Sequence, residues 1–350
     1  MASRTGVVVA LLVLALAGAG LLALLGRDDA PEPVRSAGPA LMIDSPWALV
    51  FAPGAPDPAA LAAARRVGAR LLRGWAVIDR GLEPTDRFVA GARRAGFGVY
   101  LTITYRRRAV AQPAPDAFAE RCSEVAARYR GRIWGYGVWN EPNLWVDADG
   151  RGLRGAGYGA LYRACERAIR RADPDARVLI GELANGPRGD GACRYLERAV
   201  AGDEETTTDA VAIHPYQMAT DLPVTSPLQG DHCRGIGRLT DWPRRLIAMT
   251  RLHTADGATP GIAITEYGEC VAGFRCGKSG TGIAEPLRAE RLQQAIGASR
   301  QAGVRVFGYY HLGWGAETWN SAAFDAEWRP TAVADVLRDT FASVESEPGR

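Results

Sequence analysis

The stretch "IWGYGVWNEPN", residues 133–143, begins in one chemical register and ends in another. Its first eight residues are apolar, aromatic or glycine apart from the closing asparagine, as a strand buried on both faces requires. It then runs into Asn140-Glu141-Pro142. Proline has no N–H to give a sheet ladder, so the strand stops there. A strand that is buried for most of its length therefore delivers a carboxylate at its carboxyl end.

Working outward, the same kind of run recurs. Before it come "WALVFA" (47–52), "ARLLRGW" (69–75) and "GVYLTITY" (98–105). After it come "RVLIGEL" (177–183), "AVAIHPY" (210–216), "GIAITEY" (261–267) and "VRVFGYYHLGW" (304–314), which makes eight runs in all. Between them lie segments of helical period. Over 116–130, Phe118, Cys122, Val125 and Tyr129 fall on one stripe, and over 155–173 so do Leu161, Cys165, Ala168 and Ala172. Pro174 ends the second of these helices, and a last helix fits 329–344. Continuous apolar strands alternating with one-sided helices predict a parallel sheet covered by helices. Eight repeats predict an α/β fold of the (β/α)8, or TIM-barrel, kind in a single domain over 41–345. No Gly-x-Gly-x-x-Gly follows the first strand, which argues against dinucleotide binding.

The ends of the chain read differently. Residues 6–26 contain no charge and as a helix would span ~32 Å, against a bilayer core of ~30 Å. Arg4 precedes them and Arg27-Asp28-Asp29 follows, so 1–26 reads as a signal anchor or a signal peptide, with the anchor favoured. The remaining chain is expected on the extracellular side, touching the membrane through this apolar helix alone. Residues 27–40 are charged and proline-rich and read as a tether, and 346–350 as a tail. The net charge of +3 is too small to indicate a nucleic-acid partner, and "YRRRAV" (105–110) reads as a solvated loop.

Six cysteines follow the apolar run, an even number that suits disulfides in an exported chain. Cys270 and Cys276 would close a short loop. Neighbouring positions around the barrel suggest Cys122–Cys165 and Cys193–Cys233, with buried free thiols as the alternative. The spacing fits no zinc site, and the four histidines form no helical HExxH, so neither metal nor cofactor is expected.

In such barrels chemistry sits where the strands end. Glu141 ends the fourth run, and Glu266 in "ITEYG" ends the seventh. Across an eight-membered ring these ends can face each other. Two carboxylates flanking a cleft are what glycosidic cleavage requires. Here the strand-end strings "VWNEPN", "AIHPY", "ITEYG" and "YYHLGW" together resemble clan A glycoside hydrolases, closest to the family 39 and family 5 branches, over 41–345. The resemblance implies a retaining enzyme with a covalent glycosyl intermediate, no cofactor and a carbohydrate as its partner. It implies Glu141 as acid/base and Glu266 as nucleophile. It further implies substrate-binding places for Asn140 beside the sugar 2-hydroxyl, Arg73 holding the nucleophile, His214 and Tyr216 lining the site, and Trp314 as an aromatic floor. Glu141 must hold a proton near neutral pH, which the charge of Glu266 and an apolar neighbour such as Trp139 favour.

Plainer roles compete. Glu182 in "IGELAN" is a third strand-end carboxylate, with a structural hydrogen-bonding role as fitting as a sugar contact. Glu269 rivals Glu266 but lies beside Cys270. Arg73 and His214 can be paired structurally, and Trp314, Trp75, Tyr105, Trp145 and Trp319 can be packing. Residues 217–240 and 268–283 read as long loops that wall the cleft. A catalytically silent glycan-binding or cell-envelope protein, or a transglycosylase, would use the same scaffold.

Overall fold

Strand formation follows the apolar runs. A computed structural model describes residues 40–44, 57–105, 113–144, 153–184, 192–202, 206–216, 247–248, 252–273, 275–276, 280–313 and 320–342. These belong to one compact unit, Val34–Arg350. The barrel strands are β1 (Ala40–Asp44), β2 (Leu71–Val77), β3 (Gly98–Thr104), β4 (Gly135–Val138), β5 (Arg177–Ala184), β6 (Ala210–His214), β7 (Gly261–Ile264) and, after a two-stranded hairpin β8 (Arg275–Cys276) and β9 (Gly280–Thr281), β10 (Val306–Tyr310). Each barrel strand is parallel to its neighbours, and β1 pairs with both β2 and β10, which closes the ring.

Seven of these strands coincide with the runs read above. The first does not. The closing strand is "ALMID" at 40–44, while the longer run 47–52 lies outside the described residues. A closing strand needs only to pair on both sides: here all five residues pair with β10, and Met42–Asp44 pair with β2 as well. Nothing in so short a run, directly after Pro39, sets it apart from the tether. The apolar segment 6–26, most of the tether and the tail also lie outside the described residues, among which no helix is long and apolar enough to cross a membrane.

The helices are α1 (Pro58–Arg66), α2 (Glu83–Arg94), α3 (Pro115–Arg128), α4 (Gly155–Ala172), α5 (Ala192–Val200), α6 (Glu285–Gln301) and α7 (Ala332–Ala342). Their starts carry ordinary signals. Asp57 caps α1 by accepting from the Ala59 N–H at 2.8 Å, and prolines stand in the first turn of α1, α2, α3 and α6. Gly159 lets α4 lie against the backbone of α5 at Ala199, where any Cβ would collide.

Two cores result. The larger lies between strands and helices and takes in Phe88, Phe118, Leu161, Leu196, Leu292 and Leu337. The smaller fills the lower lumen with Met42, Leu71, Tyr100, Leu179, Ala212, Ala263 and Val306. Trp134 packs beneath it under the Arg177 guanidinium, 4.9 Å from the ring centroid. Cys122–Cys165 joins α3 to α4 and Cys270–Cys276 closes the loop after β7, both as the sequence suggests. Cys193 is disulfide-bonded too, while Cys233 lies outside the described residues.

Candidate active site

Above the apolar layer the lumen changes character. Arg73, Thr102, Glu182, His214, Thr265 and Glu266 are all buried there. Arg73 on β2 is the hub. It donates through Nε to Thr102 Oγ1 (3.1 Å), through Nη1 to Glu266 Oε1, and through Nη2 to Asn140 Oδ1 (2.8 Å) and Glu182 Oε2. The guanidinium fork thus fixes three strand ends at once.

The two predicted carboxylates converge. Glu141, His214 and Glu266 each offer one atom within 4.8 Å of the others. The Glu266 side chain is only 7% exposed, and Tyr216 donates its hydroxyl to Oε2 at 2.6 Å. Burial opposes its ionisation, but the charges of His214 and Arg73 and the Tyr216 hydrogen bond outweigh that and hold Glu266 below the ordinary carboxylate range. Glu141 is more open, at 24%. Its position is set by backbone. The Glu141 N–H donates to the Glu182 carbonyl (3.0 Å), a short turn over Pro142–Leu144 follows, and Asn143 pairs with both the carbonyl and the N–H of Ala184 (2.8 and 3.0 Å).

Three non-glycine residues here have left-handed backbone: Trp139 (φ 69°), Glu141 (φ 47°) and Glu182 (φ 51°). Each costs about 1–2 kcal/mol, held by the surrounding bonds. Such residues gather at functional sites. At Trp139 the twist sends the indole to the shell, where it packs on Phe118 and Tyr105.

Glu182 is the least legible member. The pairing of β5 with β6 slips between Gly181 and Leu183, a bulge that turns Glu182 into the lumen. There it is fully buried and accepts from Arg73, from the Tyr100 hydroxyl and from His214 Nε2 (3.0 Å). Burial resists its charge, yet Arg73, His214 and Tyr100 bring it down to about 2. Gly137 on β4 leaves the space it occupies, because a Cβ there would run into Glu182 and the Tyr100 hydroxyl. Its buried carboxylate thus holds Arg73 and His214 in place.

His214, the last residue of β6, is fully buried with Nδ1 3.1 Å from Glu141 Oε1 and Nε2 on Glu182. Burial disfavours its charge, but Glu266, Glu141 and Glu182 push it up to about 10. Trp314 lies outside the described residues, as do Trp145, Trp319 and 217–240. Sequence reasoning passed over Tyr310. Tyr309 enters the shell and donates to the Ser321 carbonyl, so Tyr310 at the end of β10 stands half-buried beside Tyr216, ring centroids 6.0 Å apart. Strand alternation would have found it.

Glu141, His214 and Glu266 are also the donor types a cation takes. The fit is poor. Both His214 nitrogens already face carboxylates, and the Arg73 guanidinium is fixed on Glu266, so a metal would have to displace a proton beside a permanent cation. The group is better suited to sharing protons.

No family model matches the chain, and no curated protein does. Among solved structures it is similar to a glucosidase from Croceicoccus marinus, with 14% identity, TM-score 0.63, and coverage of 90% of this chain and 69% of that one. It is also similar to GH5_18 from Streptomyces cattleya (14%, TM-score 0.60, 90% and 82%) and to a GH39 β-xylosidase from Caulobacter crescentus (16%, 0.58, 88% and 73%). At these identities the likeness is one of fold: the chain shares the (β/α)8 barrel of these solved structures.

Proposed function

We propose that the protein is a retaining glycoside hydrolase that cleaves β-configured O-glycosidic bonds of an extracellular polysaccharide or glycoconjugate. The observation that carries this reading is the approach of Glu141 and Glu266, with an oxygen of each within 4.8 Å of the other. Retention needs carboxyl groups ~5–5.5 Å apart and inversion ~6.5–9.5 Å. Their unequal settings support unequal roles. Glu266, buried and held ionised by Arg73, His214 and Tyr216, attacks the anomeric carbon. Glu141, more open, protonates the departing oxygen and then activates water. Once Glu266 is esterified its charge is gone, which eases loss of the Glu141 proton. Asn140, oriented by Arg73, meets the sugar 2-hydroxyl, and Tyr310 and Trp314 supply aromatic surface. The double displacement requires no cofactor.

Hydrolysis of a panel of aryl β-glycosides tests this. Glu266→Ala should lose about 10⁴-fold or more of turnover, and Glu141→Ala about 10²–10⁴-fold. Glycan binding without wild-type turnover would instead indicate a silent binding protein, and sugar-to-sugar transfer a transglycosylase. Residues 6–26 are proposed to export the chain and anchor it. The disulfides Cys122–Cys165 and Cys270–Cys276 support an oxidising compartment. Extraction of membranes at high pH would release the protein if the segment is cleaved and retain it if it is an anchor.

A further inference from the structure

We propose that Glu182 and His214 form a proton-holding pair that lends a proton to Glu141 and takes it back within each turnover. This rests on the glycosidase reading above and extends it to two residues that act through Glu141 rather than on substrate.

The inference starts from counting protons. His214 Nε2 faces Glu182 Oε2 at 3.0 Å, and Nδ1 faces Glu141 Oε1 at 3.1 Å and Glu266 Oε2 at 3.5 Å. Ionised carboxylates only accept, and a neutral imidazole has a single N–H. A neutral ring between two ionised carboxylates would leave a lone pair aimed at a lone pair. At rest the cluster therefore holds two protons on this line, and one of them must be at Nδ1 or on Glu141.

The surrounding groups decide which seats are open. Glu182 also faces Arg73 from β2 and the Tyr100 hydroxyl from β3, with Thr102 and Thr265 hydroxyls each at 3.4 Å. So many donors leave no place for a proton on Glu182, and Nε2–H stays put. Glu266 after β7 is likewise occupied by Arg73 and by Tyr216, whose ring meets Tyr310 of β10. The movable proton is then left with two seats, His214 Nδ1 and Glu141 Oε1, joined by one hydrogen bond. With three carboxylates around the ring, its resting seat is the ring.

The cycle balances. The Nδ1–H bond breaks as Oε1–H forms on Glu141, leaving a neutral imidazole still bonded through Nε2–H to Glu182. Glu141 gives that proton to the leaving oxygen as the glycosidic bond breaks and Glu266 forms its ester. In the second half Glu141 takes a proton from the attacking water, the ester bond breaks, and the proton returns to Nδ1. The pair lets a partly exposed carboxyl keep a proton in reach at a pH where an isolated one would have lost it.

The test joins a titration to a rate profile. With ¹⁵N-histidine labelling the chain gives four histidine ring systems, and the His214 signals are those missing from His214→Asn. In the wild type His214 should have both nitrogens protonated at pH 7. In Glu182→Gln its titration should fall by at least one pH unit. The ratio of kcat/KM at pH 5 to that at pH 8 should rise about tenfold or more. A merely structural Glu182 would lower the rate equally at both pH values. Should Glu182→Gln not fold, Tyr100→Phe keeps the carboxylate and removes one competing donor, and the alkaline limb should then move upward. A neutral His214 ring at pH 7, or a pH ratio unchanged in whichever variant folds, would overturn the pair. Normal His214 behaviour without any glycoside turnover would leave the pair standing and sink the glycosidase reading.

Discussion

The lower and upper halves of the barrel lumen are buried alike and built on opposite principles. Below, Met42, Leu71, Leu179, Ala212, Ala263 and Val306 fill the space with hydrocarbon. Above, Arg73, Glu182, His214 and Glu266 fill it with charge. Tyr100 spans the boundary, its ring packed below and its hydroxyl donating to Glu182 above. The lower layer gains stability from every atom removed from water and asks only for matching volume. The upper layer consists of groups that are costly to bury and are held only by one another. A change below should therefore be felt as lost stability, and a change above as lost chemistry and lost stability together.

The largest break should come from Arg73→Met. It keeps bulk but leaves Glu182 and Glu266 buried without their guanidinium. Urea unfolding at pH 7 should show a loss of about 3–5 kcal/mol, and glycoside turnover should vanish. Next, Leu179→Ala in the lower layer should cost about 3 kcal/mol, with kcat within about threefold of wild type on substrates that the enzyme accepts. Equal losses of activity in the two variants would erase the distinction. A smaller effect is expected of Gly137→Ala, which pushes a methyl group at Glu182 and the Tyr100 hydroxyl. Overpacking of this kind costs about 1–3 kcal/mol, and kcat should fall more than KM rises.

The smallest effect sharpens the comparison with a second buried glutamate. Glu269, just after β7, is 5% exposed, and the Arg291 guanidinium approaches its carboxylate only to 3.9 Å. Burial dominates, against Arg291, Tyr267 and Arg288, and raises it to about 7, the reverse of Glu182. The signs of their linkage to pH differ accordingly. The stability from Glu269 is full below its ordinary 4.5 and is lost as pH rises through about 7. That from Glu182 is full above 4.5 and is lost as pH falls towards about 2. Urea midpoints at pH 5 and pH 8 should differ less in Glu269→Gln than in the wild type.

What the sequence disclosed followed from periodicity. Seven strands and the helices α3 and α4 are written in runs and stripes long enough to read, and Pro142 marks where β4 must end. Glu141, Glu266 and Asn140 were legible because each sits at the end of such a run; Arg73 lies inside β2, third of its seven residues, and the structure brings all four together. The failures are also physical. "ALMID" is too short to advertise itself, and its strand character comes from partners on both sides. Tyr310 was passed over because the resemblance points to Trp314 alone, whereas only strand alternation marks Tyr310. Glu182 looked like one more strand-end acid, since a one-residue slip in pairing leaves no mark in composition.

That slip has a genetic side. Because β5 carries one residue more than its pairing requires between Gly181 and Leu183, loss of a single codon there would restore a regular pleat. The residue lost would be Glu182 itself, so the barrel could still close while the carboxylate that anchors Arg73 and His214 would be gone. Circular dichroism would then report an intact protein, and a hydrolysis assay an inert one.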